Sequence, residues 1–266
     1  NASGNFSTIG GGAENIASGG RSVVAGGYSN DAIGIDSFVG GGSDNHANGG
    51  GSAVGGGDCN AASGSASFVG GGSDNISSGN QSVVSGGNNN NAVGLGSAIG
   101  GGISNIADGD ESVIAGGHYN DATGGYSVVA GGYYNHATGV YSFVGGGYNN
   151  IASADYTTIA GGGPSDLSDI TKTNNQATDN YCTVGGGGGN QAGDNNSTMD
   201  DATYATVSGG RNNTASEIYS FVGGGDGNVA MGGYSVLSGG WENYASGNYS
   251  AVGGGYSKTA SGNFSV

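Results

Sequence analysis

The sequence is a phased repeat of fifteen residues. Asn stands at every fifteenth residue from 15 to 150, and the unit reads N-x-A-x-G-x-x-S-x-V-x-G-G-x-x. The register then shifts by ten and by eight residues, and Asn returns at 175, 190, 213, 228 and 243 before Lys258 takes its place. Units with a fixed short period stack on their neighbours, so the chain is expected to fold as a repeat array.

The order of residues within the unit predicts strands. Ser and Val lie two residues apart, as do Ala and Gly, so each pair points to one side of a β-strand. The Gly-Gly step and the Asn are expected to reverse the chain, since both residue types tolerate a positive φ. We predict an all-β fold, a parallel β-roll or β-solenoid of about seventeen coils, with the Ala, Ser and Val places inside a thin core.

Composition supports this fold over the alternatives. The chain has 65 Gly but only one Pro, without the three-residue period of collagen. We predict one array over residues 1–266, with loop insertions near 164–173 and 194–201. The chain starts and ends inside a repeat, so it is expected to be a mature product or a fragment.

One outward place carries no charged residue. It lies between Ser and Val, and its large members pair with small residues two positions on, as Phe38 does with Gly40 and Val128 with Ala130. Conserved volume is typical of close packing, so this surface is expected to be buried against another copy of the chain. We call it the apolar face; its predicted interface residues are Val23, Phe38, Phe68, Val83, Val113, Val128, Phe143, Phe221 and Val236.

The run A-x-G-x-x-S-x-V-x-G, as at 17–26 and 245–254, resembles the head repeats of YadA-like trimeric autotransporter adhesins. The resemblance covers nearly the whole chain apart from the insertions. It implies a left-handed parallel β-roll, with three copies intertwined or side by side as a homotrimer on a bacterial surface. The unit here is slightly longer than is usual in that family, and the family's neck, stalk and membrane anchor are not in these residues. Similar Gly-rich repeats occur in tail-fibre-like proteins.

Aromatic residues occupy two further places. The place just before Ser forms what we call the aromatic ladder: Tyr126, Tyr141, Tyr156, Tyr181, Tyr204, Tyr219, Tyr234, Tyr249 and Phe264. We favour a structural interpretation, in which rings stack from coil to coil, over a binding stripe for sugars or protein. The second group, the turn aromatics, follows the Gly-Gly step less regularly and is the better candidate ligand surface: Tyr133, Tyr134, Tyr148, Trp241 and Tyr256.

Charge restricts the partners. Asp and Glu number 20 against four Lys and Arg, so the formal net charge is −16. Without a basic stripe to neutralise phosphates, nucleic acid is excluded as a partner, and anionic lipid is disfavoured. The sequence also lacks an apolar run of about 18 residues, so we expect no membrane insertion by this segment.

An acidic group accompanies the two insertions. Asp179, Asp194 and Glu217 take the place that Gly normally holds in three successive repeats. Clustered carboxylates suit Ca²⁺, and these three are the candidate ligands for it. Mobile acidic loops are the favoured alternative, so no cofactor is otherwise expected.

No grouping of residues predicts catalysis. Cys59 lies at a turn and Cys182 replaces a core Ser, too far along the array for a disulfide within one rod. The three His residues are not grouped as metal ligands, and no Ser–His–Asp or Cys–His set is present. Sequons such as Asn5-Phe-Ser7 and Asn248-Tyr-Ser250 follow from the repeat itself, so from the sequence alone we interpret them as coincidence. We therefore expect a protein that is not an enzyme.

Two functions remain. The first is an extracellular surface fibre or adhesin head that attaches to cells, matrix or glycans. The second is a structural extracellular filament or phage-type tail-fibre shaft, built from stacked β-rolls and continued end to end by further copies. We favour the first function, on the resemblance to adhesin heads more than on the residues themselves.

Overall fold

The computed structural model describes residues 1–170, 174–196 and 198–266, and every regular element in this part of the chain is a β-strand. The chain divides into two compact units, 1–126 and 127–266, where the period alone predicts a single array. Each unit is a stack of coils in which every coil contributes two short strands to two parallel sheets. The predicted all-β parallel β-solenoid is therefore confirmed in both units.

The first unit has two parallel sheets, one of odd-numbered and one of even-numbered strands. Neighbouring strands pair fifteen residues apart, as Val24 does with Val39 and Ala32 with Ala47. The strands are β1 (Thr8–Ile9), β2 (Ile16–Ala17), β3 (Val23–Val24), β4 (Asp31–Ala32), β5 (Phe38–Val39), β6 (His46–Ala47), β7 (Ala53–Val54), β8 (Ala61–Ala62), β9 (Phe68–Val69), β10 (Ile76–Ser77), β11 (Val83–Val84), β12 (Asn91–Ala92), β13 (Ala98–Ile99), β14 (Ile106–Ala107), β15 (Val113–Ile114) and β16 (Asp121–Ala122).

The second unit repeats this arrangement and accommodates both insertions. Ile159 pairs with Val184 and Val184 with Val207, so each insertion leaves the sheet without changing its register. The strands are β17 (Val128–Val129), β18 (His136–Ala137), β19 (Phe143–Val144), β20 (Ile151–Ala152), β21 (Thr158–Ile159), β22 (Gln176–Ala177), β23 (Thr183–Val184), β24 (Gln191–Ala192), β25 (Thr206–Val207), β26 (Thr214–Ala215), β27 (Phe221–Val222), β28 (Val229–Ala230), β29 (Val236–Leu237), β30 (Tyr244–Ala245), β31 (Ala251–Val252) and β32 (Thr259–Ala260).

The core consists of the small residues that the sequence predicts. Val39, Ala47 and Ser52 have exposed fractions of 0%, and the same places in other coils are buried in the same way. A buried Val contributes roughly 1.5–3 kcal/mol, whereas Ala and Ser contribute little apolar area. Each coil is therefore stabilised mainly by its contacts with the coils above and below.

The Asn place is the main correction to the sequence interpretation. Asn60 does not reverse the chain; it is fully buried, with a backbone that is not left-handed. Its Nδ2 lies 3.1 Å from Oδ1 of Asn45, 3.0 Å from the carbonyl oxygen of Gly56 and 2.9 Å from that of Gly72. Its Oδ1 accepts a hydrogen bond from the backbone N–H of Asn75 at 3.0 Å. The Asn column thus satisfies polar groups inside the coil that would otherwise be unpaired.

Other residues make the turns. Left-handed φ values occur just before Ser, as at Ala66 (55°), and just before Asn, as at Asp74 (58°). Between them stands the second Gly of the Gly-Gly step, such as Gly72 with a φ of 92°. A Cβ on Gly72 would lie 2.1 Å from the carbonyl oxygen of Gly87, so only Gly fits this approach between coils.

Candidate functional site

The aromatic ladder is a continuous stack within the second unit. From Tyr141 to Phe264, neighbouring ring centroids lie 4.8 to 5.1 Å apart and the planes differ by only 3 to 22°. Each inner ring lies between two others, so both of its faces are partly covered by its neighbours. Sugars bind aromatic residues through open faces, so this geometry supports the structural interpretation of the ladder.

The ladder residues share a left-handed backbone, which residues such as Gln81 and Glu111 adopt at the same place without stacking. The ladder residues have φ values from 54° to 64°, a left-handed conformation that costs a side chain about 1–2 kcal/mol. Gly51 and Gly96 hold the same place in the first unit, where the conformation has no steric cost. Each stacked pair stabilises the fold by about 0.5–1.5 kcal/mol, which offsets the conformational strain of the turn.

The turn aromatics form two groups, both in the second unit. Tyr133 packs edge-on against Tyr134, with centroids 4.6 Å apart and planes at 77°, and lies 5.3 Å from Tyr148 at 50°. Tyr133 and Tyr148 also pair through a parallel β-bridge, so successive coils fix their spacing. These rings are tilted against one another, whereas those of the ladder lie nearly parallel.

The second group is more exposed and includes charged neighbours. Trp241 and Tyr256 are 53% and 57% exposed, with centroids 4.7 Å apart and planes tilted by 39°. The backbone of Asp226 forms parallel β-bridges with Trp241 on one side and with Arg211 on the other. The guanidinium of Arg211 also donates a hydrogen bond to the carboxylate of Asp226. Hydrogen bonding to Asp226 raises the pKa of Arg211 above its ordinary value.

Sequence reasoning missed Arg211 and Asp226. The signal was available, because both stand two residues before the Asn place, as do Trp241 before Asn243 and Tyr256 before Lys258. The structure therefore assembles two open rings beside a carboxylate and a guanidinium. This set can contact both the apolar faces and the hydroxyl groups of a saccharide, or an aromatic and polar protein surface.

The apolar face points outward in both units, as expected. Phe38 and Phe143 are 42% and 38% exposed within one chain. The volume pairing has a cause within the chain, however: a Cβ on Gly40 would lie 3.4 Å from Cε1 of Phe38, and one on Gly145 lies 3.3 Å from Cε1 of Phe143. Each ring covers the Gly of its own strand, so this pairing does not by itself require a partner. Burial against another copy stays a prediction.

The acidic group is assembled differently from the prediction. Asp179, Asp194 and Asp201 each bring an oxygen within 4.8 Å of the others, whereas Glu217 stands apart with an exposed side chain. The sequence places Asp201 beside the second insertion but not among the three candidate ligands, because the insertion, not the repeat register, carries it back to Asp179. Residues 171–173 of the first insertion and Ser197 of the second lie outside the described residues.

Asp179 holds both ends of the second insertion. Its Oδ2 accepts a hydrogen bond from the backbone of Asp194 at 3.0 Å, and its Oδ1 accepts one from Ala202 at 3.4 Å. Burial raises the pKa of this fully buried carboxyl group above its ordinary value. These contacts account for Asp179 as a structural residue, and Ca²⁺ binding stays a prediction.

The cysteines have contrasting surroundings, and both are free thiols. Cys182 is fully buried, and burial raises its pKa to about 12. Cys59 is exposed on a turn beside Asp44 and Asp58, and its pKa is also raised, first by desolvation and then by the nearby carboxylates. A raised pKa lowers the fraction of nucleophilic thiolate, so neither environment resembles that of an activated cysteine.

The chain was compared with protein-family models and with curated proteins. No protein-family model matches it, and no curated protein matches it significantly. Among the described residues, none belongs to a helix with the length and apolar character needed to cross a membrane.

Proposed function

We propose that the protein is an extracellular surface fibre that attaches to cells, matrix or glycans through the turn aromatics of its second unit. The observation that carries this proposal is the open pair of Trp241 and Tyr256 beside the Arg211–Asp226 ion pair. Large rings with polar neighbours are typical of binding surfaces, whereas an array that serves only as a scaffold has no need of them. The proposed role is not catalytic.

The resemblance of the repeat to YadA-like adhesin heads supports the same proposal. In that arrangement three copies pack together through the apolar face, so the first partner is the chain itself. The net charge of −16 favours solubility and repulsion from anionic membranes. The proposed location is therefore the cell surface or the extracellular space, with the rings of the second unit facing the ligand.

Binding of the whole chain to a glycan array and to cultured cells tests this proposal. Replacing Trp241 and Tyr256 with Ser removes two open faces, each worth about 0.5–1.5 kcal/mol, so we expect roughly tenfold weaker binding. A second variant, with Ser at Tyr133, Tyr134 and Tyr148, shows which group carries the contact. Met231→Ser is the control, because this side chain is also exposed and apolar but lies outside both groups.

A structural filament or tail-fibre shaft is the second candidate. The buried Asn column and the stacked ladder favour it, since both strengthen the contacts between coils and offer no open ligand surface. Electron micrographs that show long continuous filaments, together with no glycan or cell binding by the unmodified chain, would favour this function over adhesion. Short rods with binding that depends on Trp241 would favour adhesion.

A further inference from the structure

A recurrent side-chain contact marks the tip of one turn in the coil. It is made by the residue just before the ladder place, whose side-chain oxygen accepts a hydrogen bond from the backbone N–H at the same place in the preceding coil. Asn80 accepts from Ser65 at 2.9 Å, and Asn248 accepts from Gly233 at 3.0 Å. Asp110 makes the same contact with Leu95 at 2.9 Å. Because Asp serves as well as Asn, the fold uses only the oxygen at this place.

The amide nitrogens of Asn80 and Asn248 are therefore free of any structural role. Both residues are exposed, and neither Nδ2 donates a hydrogen bond to any described residue. Each lies in a tight turn, closed from Ser82 to Gly79 at 3.2 Å and from Ser250 to Gly247 at 3.1 Å. Both also begin an N-x-S sequence, Asn80-Gln-Ser and Asn248-Tyr-Ser, which is the acceptor motif for N-linked glycans.

We propose that Asn80 and Asn248 are attachment sites for N-linked saccharides. This inference rests on the proposed extracellular location, because the donor, a lipid-linked saccharide pyrophosphate, is met during secretion. Nδ2 forms a bond to C1 of the first sugar, the bond from C1 to the phosphate oxygen breaks, and the Nδ2 proton is lost as the pyrophosphate leaves. The product keeps Oδ1 as an acceptor, so the contact with the preceding coil survives modification.

Burial of the third residue of the motif fixes the timing. Ser82 and Ser250 are 0% and 1% exposed, because they occupy the core Ser place. A transferase that contacts this hydroxyl group can act only before the coil closes. Saccharide addition therefore precedes folding. Only chains whose saccharides lie outside the coil can then fold.

The chain supplies a matched control five residues upstream. Asn75-Ile-Ser is the same motif, but Asn75 belongs to the buried Asn column. Its Nδ2 lies 3.1 Å from Oδ1 of Asn60, 3.0 Å from the carbonyl oxygen of Gly71 and 2.8 Å from that of Gly87. A saccharide on this nitrogen would remove those contacts and enter the core, so folded molecules should lack one there.

The test is secretion of the whole chain from a eukaryotic cell line that makes the lipid-linked donor. Enzymatic removal of the glycans converts each modified Asn to Asp, which mass spectrometry locates. We expect saccharides on Asn80 and Asn248 and none on Asn75. Asn263 begins Asn263-Phe-Ser and accepts from the backbone N–H of Asn248 at 3.1 Å, so it is expected to carry a third. Ser82→Ala and Ser250→Ala should each remove one glycan without unfolding the coil, since Ala205 holds the same place and is buried. Ser77→Ala, which restores the usual Ala of its place, should leave both glycans.

Folded secreted chain without saccharide on either Asn would overturn the proposal, and so would saccharide on Asn75. Retention in the cell that Ser82→Ala and Ser250→Ala relieve would also overturn it, because the glycans would then obstruct the coil. Adhesion is measured separately, on chain made in bacteria without glycans. Loss of binding there contradicts the proposed function and leaves the attachment sites unaffected.

Discussion

At the scale of single residues, the buried Asn column shows how a polar side chain stabilises a core made of small groups. Each coil turns sharply and leaves carbonyl oxygens inside, where they meet no solvent. An Asn side chain both donates and accepts, so one residue satisfies groups of its own coil and of the coils on either side. An Ala is smaller and has no polar group, so it would leave a void and several of those groups without a partner.

Replacing Asn60 with Ala should therefore destabilise the first unit strongly. The carbonyl oxygen of Gly56 and the N–H of Asn75 are left unpaired, at about 1–3 kcal/mol each. The carbonyl oxygen of Gly72 and the Oδ1 of Asn45 lose one donor but keep a backbone N–H, from Asp58 and from residue 60. We expect a loss of about 3 kcal/mol or more in the free energy of unfolding, measured by denaturant titration of the whole chain. Asn48→Ala is the control, since this exposed side chain should change stability by less than about 0.5 kcal/mol. Equal losses for the two variants would contradict the assigned role.

The sequence predicted the Val, Ala and Ser places correctly because side-chain alternation depends only on strand geometry. It could not predict the Asn place, since the partners of Asn60 belong to neighbouring coils and are not visible in one repeat. Asn is also common at turns, so the sequence favoured a chain reversal at this place. Trp241, Tyr256 and their charged neighbours share one place of the repeat and were within reach of the sequence, but the tilt of the rings required coordinates.

At the scale of the element, the ladder couples one coil to the next. Tyr204 stacks on Tyr181 and on Tyr219, with 4.8 Å between ring centroids on each side. The second insertion separates Tyr181 from Tyr204 in sequence, yet the stack continues without a gap. Because strand register and ring stacking both survive there, the insertion is accommodated entirely outside the coil.

Tyr204→Ala should break the ladder beside the insertion. The variant loses two stacked pairs and keeps the left-handed turn, so we expect the second unit to lose about 1–3 kcal/mol. Tyr204→Phe should stay within about 0.5 kcal/mol of the parent, because Phe264 already stacks on Tyr249 at 5.1 Å without a hydroxyl group. Thermal unfolding followed by circular dichroism provides the comparison. If both variants unfolded like the parent, the ladder would have no structural role, and ligand binding would become its better explanation.

At the scale of the whole molecule, both units present an apolar column that one chain does not cover. Phe38 and Phe68 in the first unit are 42% and 41% exposed, and Phe143 in the second is similar. Exposed apolar groups in a regular row are typical of surfaces that meet another molecule. The repeat predicted this row correctly, but the contact between each ring and its own Gly could be recognised only in three dimensions.

The oligomeric state tests the apolar face directly. We expect light scattering of the whole chain at micromolar concentration to show a homotrimer, and Phe38→Ser with Phe68→Ser to shift it towards monomer. The rings lie over Gly40 and Gly70, so their removal should leave the strands folded, which circular dichroism checks. Ile76→Ser with Ile106→Ser is the matched control, because both side chains are 40% exposed on the other sheet of the same unit. A stable folded monomer of the parent, or equal dissociation of the two double variants, would show that this face is not the interface. The Gly pairing would then be explained by packing within the chain alone.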